Sequence, residues 1–288
     1  MLSLLGNGGK MRARDVLLTG LPRAGTTLAC HLLNTLPDAV GLDEPMRLKR
    51  LARLRFHTLI VRGFERFFER SRRSILETGR VESRGVEGQD ATNHVSDTRD
   101  AVGRRQDLTR RTQVKVDKSL SDDFQLVIKQ PSGIAPLLSA LESRISTYAL
   151  LRNPISVLAS WNSVAMSMYD GHVPAEERLD SRLRRKLAGT EDRIARQIVL
   201  LSWYFERYRA ELPGDRIIRY EDMISSGGRA LGVINAGALE LDEPLESRNR
   251  NKAYEPAQLK EFARRLLDTD AAFWDFYSRE DVNQVAEG

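Results

Sequence analysis

Residues 20 to 27 read GLPRAGTT, which has the spacing of a phosphate-binding loop: glycine, four residues, glycine, then a dipeptide ending in Thr. A nucleotide-hydrolysing loop of this kind carries lysine directly after the second glycine. Thr26 stands there instead, and the positive charge has moved back to Arg23. The glycines let the backbone approach a ligand, and the amides of Gly25, Thr26 and Thr27, following Ala24, open a helix whose N-terminus attracts anions. Thr26 and Thr27 add hydroxyl donors and Arg23 a guanidinium. Without the lysine, ATP hydrolysis or kinase chemistry loses a main charge stabiliser. The loop therefore reads as an anion site of another kind.

A second signal lies downstream in LLRNPISVLASW. Asn153 is a natural N-cap and Pro154 a natural first helical residue. Ser160 then sits six positions into the helix, about 9 Å along its axis from Pro154. An arginine at the strand end (Arg152) and a serine so disposed can grip one phosphate from two sides.

These residues need a scaffold, and the apolar pattern supplies one. RDVLLTGLP reads as a buried strand over 15–19, TTLACHLLNTL as a helix over 26–36, and DAVGLDEP as a second strand. Residues 46–77 read as helix, with Gly63 a candidate break, and 78–123 as an irregular excursion or lid. FQLVIKQP and ISTYALLRNP are further strands, the helix after Asn153 extends over PISVLASWNSVAMSM, and 169–190 reads as a polar surface segment. A helix over 191–211, a fifth strand in DRIIRYED and a final helix ending near Tyr277 follow. Five strands separated by helices predict an α/β fold, a three-layer doubly wound parallel sheet of the P-loop type. The expected organisation is a single domain over 1–288, with 46–123 and 169–190 as insertions. Ligands of such sheets bind beyond the carboxyl ends of the strands, which selects the loop with Arg23, Asp43 and Glu44, Lys129, Arg152, and Tyr220 with Asp222.

PRAGTT after the first strand, with RNPxxxxxS far downstream, resembles the sulfotransferases that use 3′-phosphoadenosine 5′-phosphosulfate (PAPS) as donor, more the bacterial and carbohydrate-type branch than the cytosolic aryl type. The resemblance takes in LDEP, VIKQP and IIRYED and does not extend to residues 78–123. It implies that Arg23, Ala24, Gly25, Thr26 and Thr27 hold the 5′-phosphosulfate, that Arg152 and Ser160 hold the 3′-phosphate, and that no metal is required. It further implies in-line transfer to a hydroxyl or amine of a small-molecule or carbohydrate acceptor, leaving 3′-phosphoadenosine 5′-phosphate. An acceptor hydroxyl needs a general base, and Glu44, in the family's "EP" position, is the first choice. Asp43 competes with it, and capping or arginine pairing would also account for Glu44. Lys129 is expected near the phosphosulfate or acceptor, or as a solvated strand terminus. Arg248 and Lys252, in RNRNKAY, match a late basic loop over the 3′-phosphate. Of the histidines, His31 falls among helix leucines, His57 in the Arg-rich helix, His94 and His172 in irregular segments; His172 ranks below Glu44 as a base.

The bulk properties admit this reading. Hydrophobic residues make up 41% and charged residues 30% of 288, as in soluble globular proteins. No run approaches a transmembrane length and the apolar start is too short for a signal peptide, so a cytoplasmic location without stable membrane insertion is expected. Cys30 is the only cysteine, which excludes a disulfide framework or thiolate metal site. Residues 45–75 hold ten Lys/Arg against two Asp/Glu, within a net charge of +5. Two other classes fit parts of the pattern: a degenerate P-loop kinase or ATP-dependent transferase, and a non-catalytic nucleic-acid binder using 45–75. The second needs exposed aromatic platforms, whereas Phe64, Phe67 and Phe68 lie on an apolar stripe, so no nucleic-acid partner is expected.

Overall fold

Val16, Leu17 and Leu18 are almost fully buried, so the strand they form must have covered faces on both sides. The computed structural model describes residues 14–47, 57–85, 95–99, 105–107, 109–251 and 254–287. In chain order the elements are β1 (Asp15–Gly20), α1 (Thr26–Thr35), β2 (Ala39–Asp43), α2 (His57–Thr78), β3 (Arg80–Gly85), β4 (Val95–Arg99), β5 (Arg105–Asp107), β6 (Arg110–Lys115) and β7 (Gln125–Lys129). There follow α3 (Leu138–Glu142), β8 (Ser146–Leu151), α4 (Pro154–Asn162), α5 (Pro174–Leu179), α6 (Ser181–Ala188), α7 (Arg193–Glu211), β9 (Ile217–Arg219), α8 (Tyr220–Ser225), α9 (Pro256–Leu267) and α10 (Arg279–Glu287).

The main sheet has the order β2-β7-β1-β8-β9 with every pair parallel, an α/β fold as the alternation of strand and helix predicts. The chain leaves β1 toward β2 on one side and leaves β8 toward β9 on the other. These neighbours therefore flank a topological switch point, the usual seat of a ligand in such sheets. Arg23 follows one of these strands and Arg152 the other.

The helix read over 46–77 begins, among the described residues, at His57 and runs unbroken through Gly63 to Thr78. Burial of Ile60, Val61, Phe64, Phe68 and Ile75 on one face outweighs the cost of about 1 kcal/mol for an internal glycine. Phe64 and Phe68 are wholly buried and so offer no stacking platform. α2 is tied to the sheet by Arg72, which bonds Asp15 Oδ1 at 2.5 Å and the Phe124 carbonyl at 2.6 Å and lies over the Phe124 ring at 4.4 Å. Both members of the ion pair are buried. Asp15→Ala should therefore cost about 3–5 kcal/mol, because it strands a buried guanidinium. Urea denaturation of this variant and of Asp15→Ala/Arg72→Met checks it; the double variant should recover much of the loss.

Four segments depart from the sequence reading. The excursion over 78–123 contains a two-stranded antiparallel ribbon, β3 with β6, and a shorter pair, β4 with β5. Charged residues on the exposed face of the ribbon dilute its apolar signal, while Val81 is buried on the other. Segment 169–190 folds as α5 and α6; Pro174 opens the first, the Asp180 carboxylate caps the second, and Leu183 and Leu187 are buried beneath its arginines. α4 stops at Asn162 rather than continuing to 168, because the Ser163 carbonyl is taken by the Arg105 amide at 3.1 Å. The last helix is α10, two residues beyond Tyr277, rather than one ending there.

Candidate active site

β1 enters the loop through Gly20, whose φ of 147° and contact with β8 leave no room for a side chain: a Cβ would lie 2.3 Å from the Leu150 carbonyl oxygen. Arg23 adopts a left-handed φ of 76° and Gly25 one of 88° as N-cap of α1. A Cβ on Gly25 would meet the Tyr220 ring at 2.7 Å. The loop is thus closed from behind by β8 and from the side by Tyr220. The Ala24 amide donates to Leu21 O at 3.0 Å and its methyl is fully buried. Ala24 therefore shapes the turn and does not line the cleft, unlike Arg23, Gly25, Thr26 and Thr27.

That cleft has a volume of about 460 Å³ and lies beyond the carboxyl ends of the strands. The two sequence signals meet in it: Arg23 Nε donates to Ser160 Oγ at 3.2 Å, and Arg152 Nη1 to the Arg23 carbonyl at 3.0 Å. Trp161 Nε1 fixes the same turn by donating to Pro22 O at 2.9 Å. Asn153 caps α4 through Ile155 N, as its type and the following proline predict.

Arg152 is buried yet reaches the cleft. Its Nε donates to Asn249 Oδ1 at 2.8 Å and its Nη2 to the Arg248 carbonyl, and its guanidinium stacks 4.7 Å over the Tyr220 ring. Glu221 underlies this arrangement. Its Oε1 accepts from Asn249 Nδ2 at 2.8 Å and from Asn153 N at 3.0 Å, and its Oε2 from the Tyr277 hydroxyl at 2.8 Å. Of Tyr220 and Asp222, selected by their place at a strand end, Tyr220 lines the cleft, but the carboxylate that organises it is Glu221. Arg248 lines the cleft too, and its amide donates to Tyr220 Oη at 3.0 Å. Lys252 lies outside the described residues.

On the other side of the loop, β2 and β7 bring their last residues together. Lys129 Nζ, 2% exposed, donates to Thr27 Oγ1 at 3.1 Å, Asp43 Oδ1 at 2.9 Å and Glu44 Oε1 at 2.8 Å. It is no solvated strand end. Burial by itself would lower its pKa, but the Glu44 and Asp43 carboxylates outweigh that and hold the ammonium above its ordinary value. Glu44 lines the cleft and its second oxygen accepts from Arg84 Nη1 at 2.9 Å. Asp43 is more deeply buried and does not line the cleft, which favours Glu44 over Asp43 for contact with a ligand.

Of the histidines, His31, His57 and His172 do not line the cleft; His172 bonds Glu177 at 3.1 Å instead. His94 lies outside the described residues. The cleft residues that sequence reasoning missed include Arg84 and Arg105, which reach it from the antiparallel ribbons, Met166 and Met168, which wall it beyond α4, and Glu246. Nothing in the spacing of the arginine-rich 78–123 segment distinguishes these two from their neighbours; the strand register does. Among the described residues no group of acidic, histidine or cysteine side chains could hold a metal ion, and no helix is long and apolar enough to cross a membrane.

No family model matches the chain, and no curated protein matches it. Among solved structures it is similar to the sulfotransferase domain from the curacin biosynthetic pathway, at 14% identity and a TM-score of 0.38, over 85% of this chain and 79% of that one. It is also similar to sulfotransferase STF1 from Mycobacterium tuberculosis H37Rv, at 12% identity and a TM-score of 0.35, over 96% of this chain and 77% of that one. At such values neither likeness decides an activity.

Proposed function

We propose that this chain is a sulfotransferase that takes PAPS as donor and sulfates a hydroxyl or amine of a small-molecule or carbohydrate acceptor. The observation that carries the reading is the junction of the two motifs, Arg23 on Ser160 and Arg152 on the Arg23 carbonyl, in one cleft at the switch point of the sheet. The cleft suits a polyanion with two separate anionic ends. Six cations line it (Arg23, Arg84, Arg105, Lys129, Arg152 and Arg248) against the carboxylates of Glu44 and Glu246. When bound, the donor supplies a sulfuryl group whose bond to the bridging oxygen breaks as one to the acceptor atom forms, and 3′-phosphoadenosine 5′-phosphate leaves.

The chain's own part is to bind, orient and move one proton. Gly25, Thr26 and Thr27 face an anion with the start of α1, while Arg23 is held toward it by Ser160. Arg152 and Arg248 supply the cationic contact for the donor's second anionic end. Glu44 takes the acceptor proton, and Lys129 and Arg23 balance negative charge developing at the loop. A Walker-type site places a divalent ion between the loop Ser/Thr and an acidic residue at the end of the adjacent strand. Here that strand end carries Lys129, whose ammonium sits 3.1 Å from Thr27 Oγ1. A fixed cation in that position favours a sulfuryl donor over an ATP–Mg²⁺ one.

Calorimetry with 3′-phosphoadenosine 5′-phosphate and with ATP, each with and without Mg²⁺, tests the reading. The expected result is binding of the first at least about tenfold tighter than ATP and unaffected by Mg²⁺. Preference for ATP with Mg²⁺ would overturn it in favour of a P-loop kinase. An acceptor screen with labelled donor and mass spectrometry of the products then identifies the acceptor.

A further inference from the structure

Arg84 and Arg111 are directly opposed partners in the antiparallel register of β3 and β6. Partners in such a register project to the same face, where like charges destabilise the pair. Burial lowers the Arg111 pKa, and the Arg84 charge adds to that. The stability of the ribbon itself gives no reason for this pairing. What the two arginines reach does. Arg84 Nη1 donates to Glu44 Oε2 at 2.9 Å, while Arg111 Nε donates to the Glu44 carbonyl at 2.8 Å and Arg111 Nη2 to the Met46 carbonyl at 3.0 Å. Glu44 meanwhile holds a left-handed φ of 37°, rare for a residue with a Cβ, and its amide donates to the Lys129 carbonyl at 2.8 Å. Ser83 Oγ, also on β3, accepts from the Asp43 amide at 2.9 Å. A strained residue is thus gripped by one arginine at its carboxylate and by the other at its backbone.

We propose that Arg84 and Arg111 are positioning residues for Glu44: Arg84 orients its carboxylate and keeps it ionised, and Arg111 fixes the turn over 44–46 that aims it into the cleft. The ribbon is then the arm that sets the base. Among the described residues, the charged groups around Glu44 include Lys129 from β7, Asp43 from β2, Arg84 from β3 and Arg111 from β6; Arg47 and Glu82, close by, pair with each other at 3.5 Å. Lys129 is shared with Asp43, whereas Arg84 pairs with the second Glu44 oxygen. The catalytic significance rests on the function proposed above, whereas the effect on Glu44 does not.

The test is the titration of Glu44 in the full chain, read by ¹³C NMR with labelled glutamate carboxyls, its signal identified by loss in Glu44→Gln. A neighbouring cation favours the carboxylate, so Arg84→Met should move the Glu44 pKa upward by about 1 unit or more. Arg84→Lys should restore most of the shift, and Arg111→Met, acting through the backbone, should shift it less than Arg84→Met does. Thermal melting establishes that each variant is folded, and Arg84→Gln replaces Arg84→Met if that one is not. An unmoved Glu44 titration in a folded Arg84 variant overturns the proposal. So does a Glu44 titration in Arg84→Lys that stays where Arg84→Met puts it, since a positioning cation must be replaceable by another. If the wild type binds no 3′-phosphoadenosine 5′-phosphate but the Glu44 shift appears, the proposed reaction fails and the positioning role stands.

Discussion

Glu44→Gln is expected to lower turnover by about 10²–10⁴-fold, the range that a positioned general base contributes, with donor affinity unchanged. Gln is close in size and its amide oxygen can still accept from Lys129, which keeps its contact with Asp43. What the substitution removes is the ability to take a proton. It also sets an amide NH₂ or a weaker acceptor against Arg84, a loss confined to one partly exposed pair. The fold and the proposed donor subsite, on the Arg23–Ser160 and Arg152–Arg23 contacts across the loop, should therefore persist. Steady-state rates with labelled donor and calorimetry with 3′-phosphoadenosine 5′-phosphate check the two halves separately. Unchanged turnover would remove Glu44 from the mechanism. Loss of both turnover and affinity would place Glu44 in the donor site instead.

The parts of this arrangement that the sequence made legible are those whose physics is local. Gly20 and Gly25 mark backbone that no other residue tolerates, one against Leu150 and the other against Tyr220, and Asn153-Pro154 announces a helix start through capping alone. The strand ends that supply Arg23, Glu44, Lys129 and Arg152 follow from buried apolar runs closed by glycine or proline. The rest depends on which distant segment lands where. Arg84 and Arg105 reach the cleft only because the ribbons return to the sheet edge and to the end of α4, by way of the Arg105–Ser163 contacts. Glu221 outranks Asp222 because of Asn249 and Tyr277, residues far along the chain whose approach no local pattern encodes. Ala24 shows the converse: a residue inside a legible motif whose amide is spent on the turn itself.

Lys129→Met is expected to lower stability most strongly near neutral pH. Its ammonium is the shared partner of Asp43 and Glu44, whose side chains are 5% and 16% exposed. Removing it takes the shared ammonium away from two close carboxylates, while Arg84 still pairs with Glu44. Breaking a buried ion pair from one side costs about 3–5 kcal/mol, a large share of the roughly 5–15 kcal/mol that holds a domain folded. The pH dependence separates this charge effect from lost packing. In the wild type the Lys129 pKa is raised in the folded state, so its contribution is complete below the unfolded lysine value of about 10.4. It is lost as pH rises through the higher folded value. In the variant the two carboxylates repel each other without the ammonium, and acid relieves that repulsion by protonation, so the deficit shrinks there. The difference in unfolding free energy between wild type and variant should therefore peak around neutral pH and fall toward both extremes. Urea denaturation of both proteins across that range measures it. A difference constant with pH would mean that Lys129 acts through its packed methylenes alone, and its ammonium would lose its place at the centre of the site.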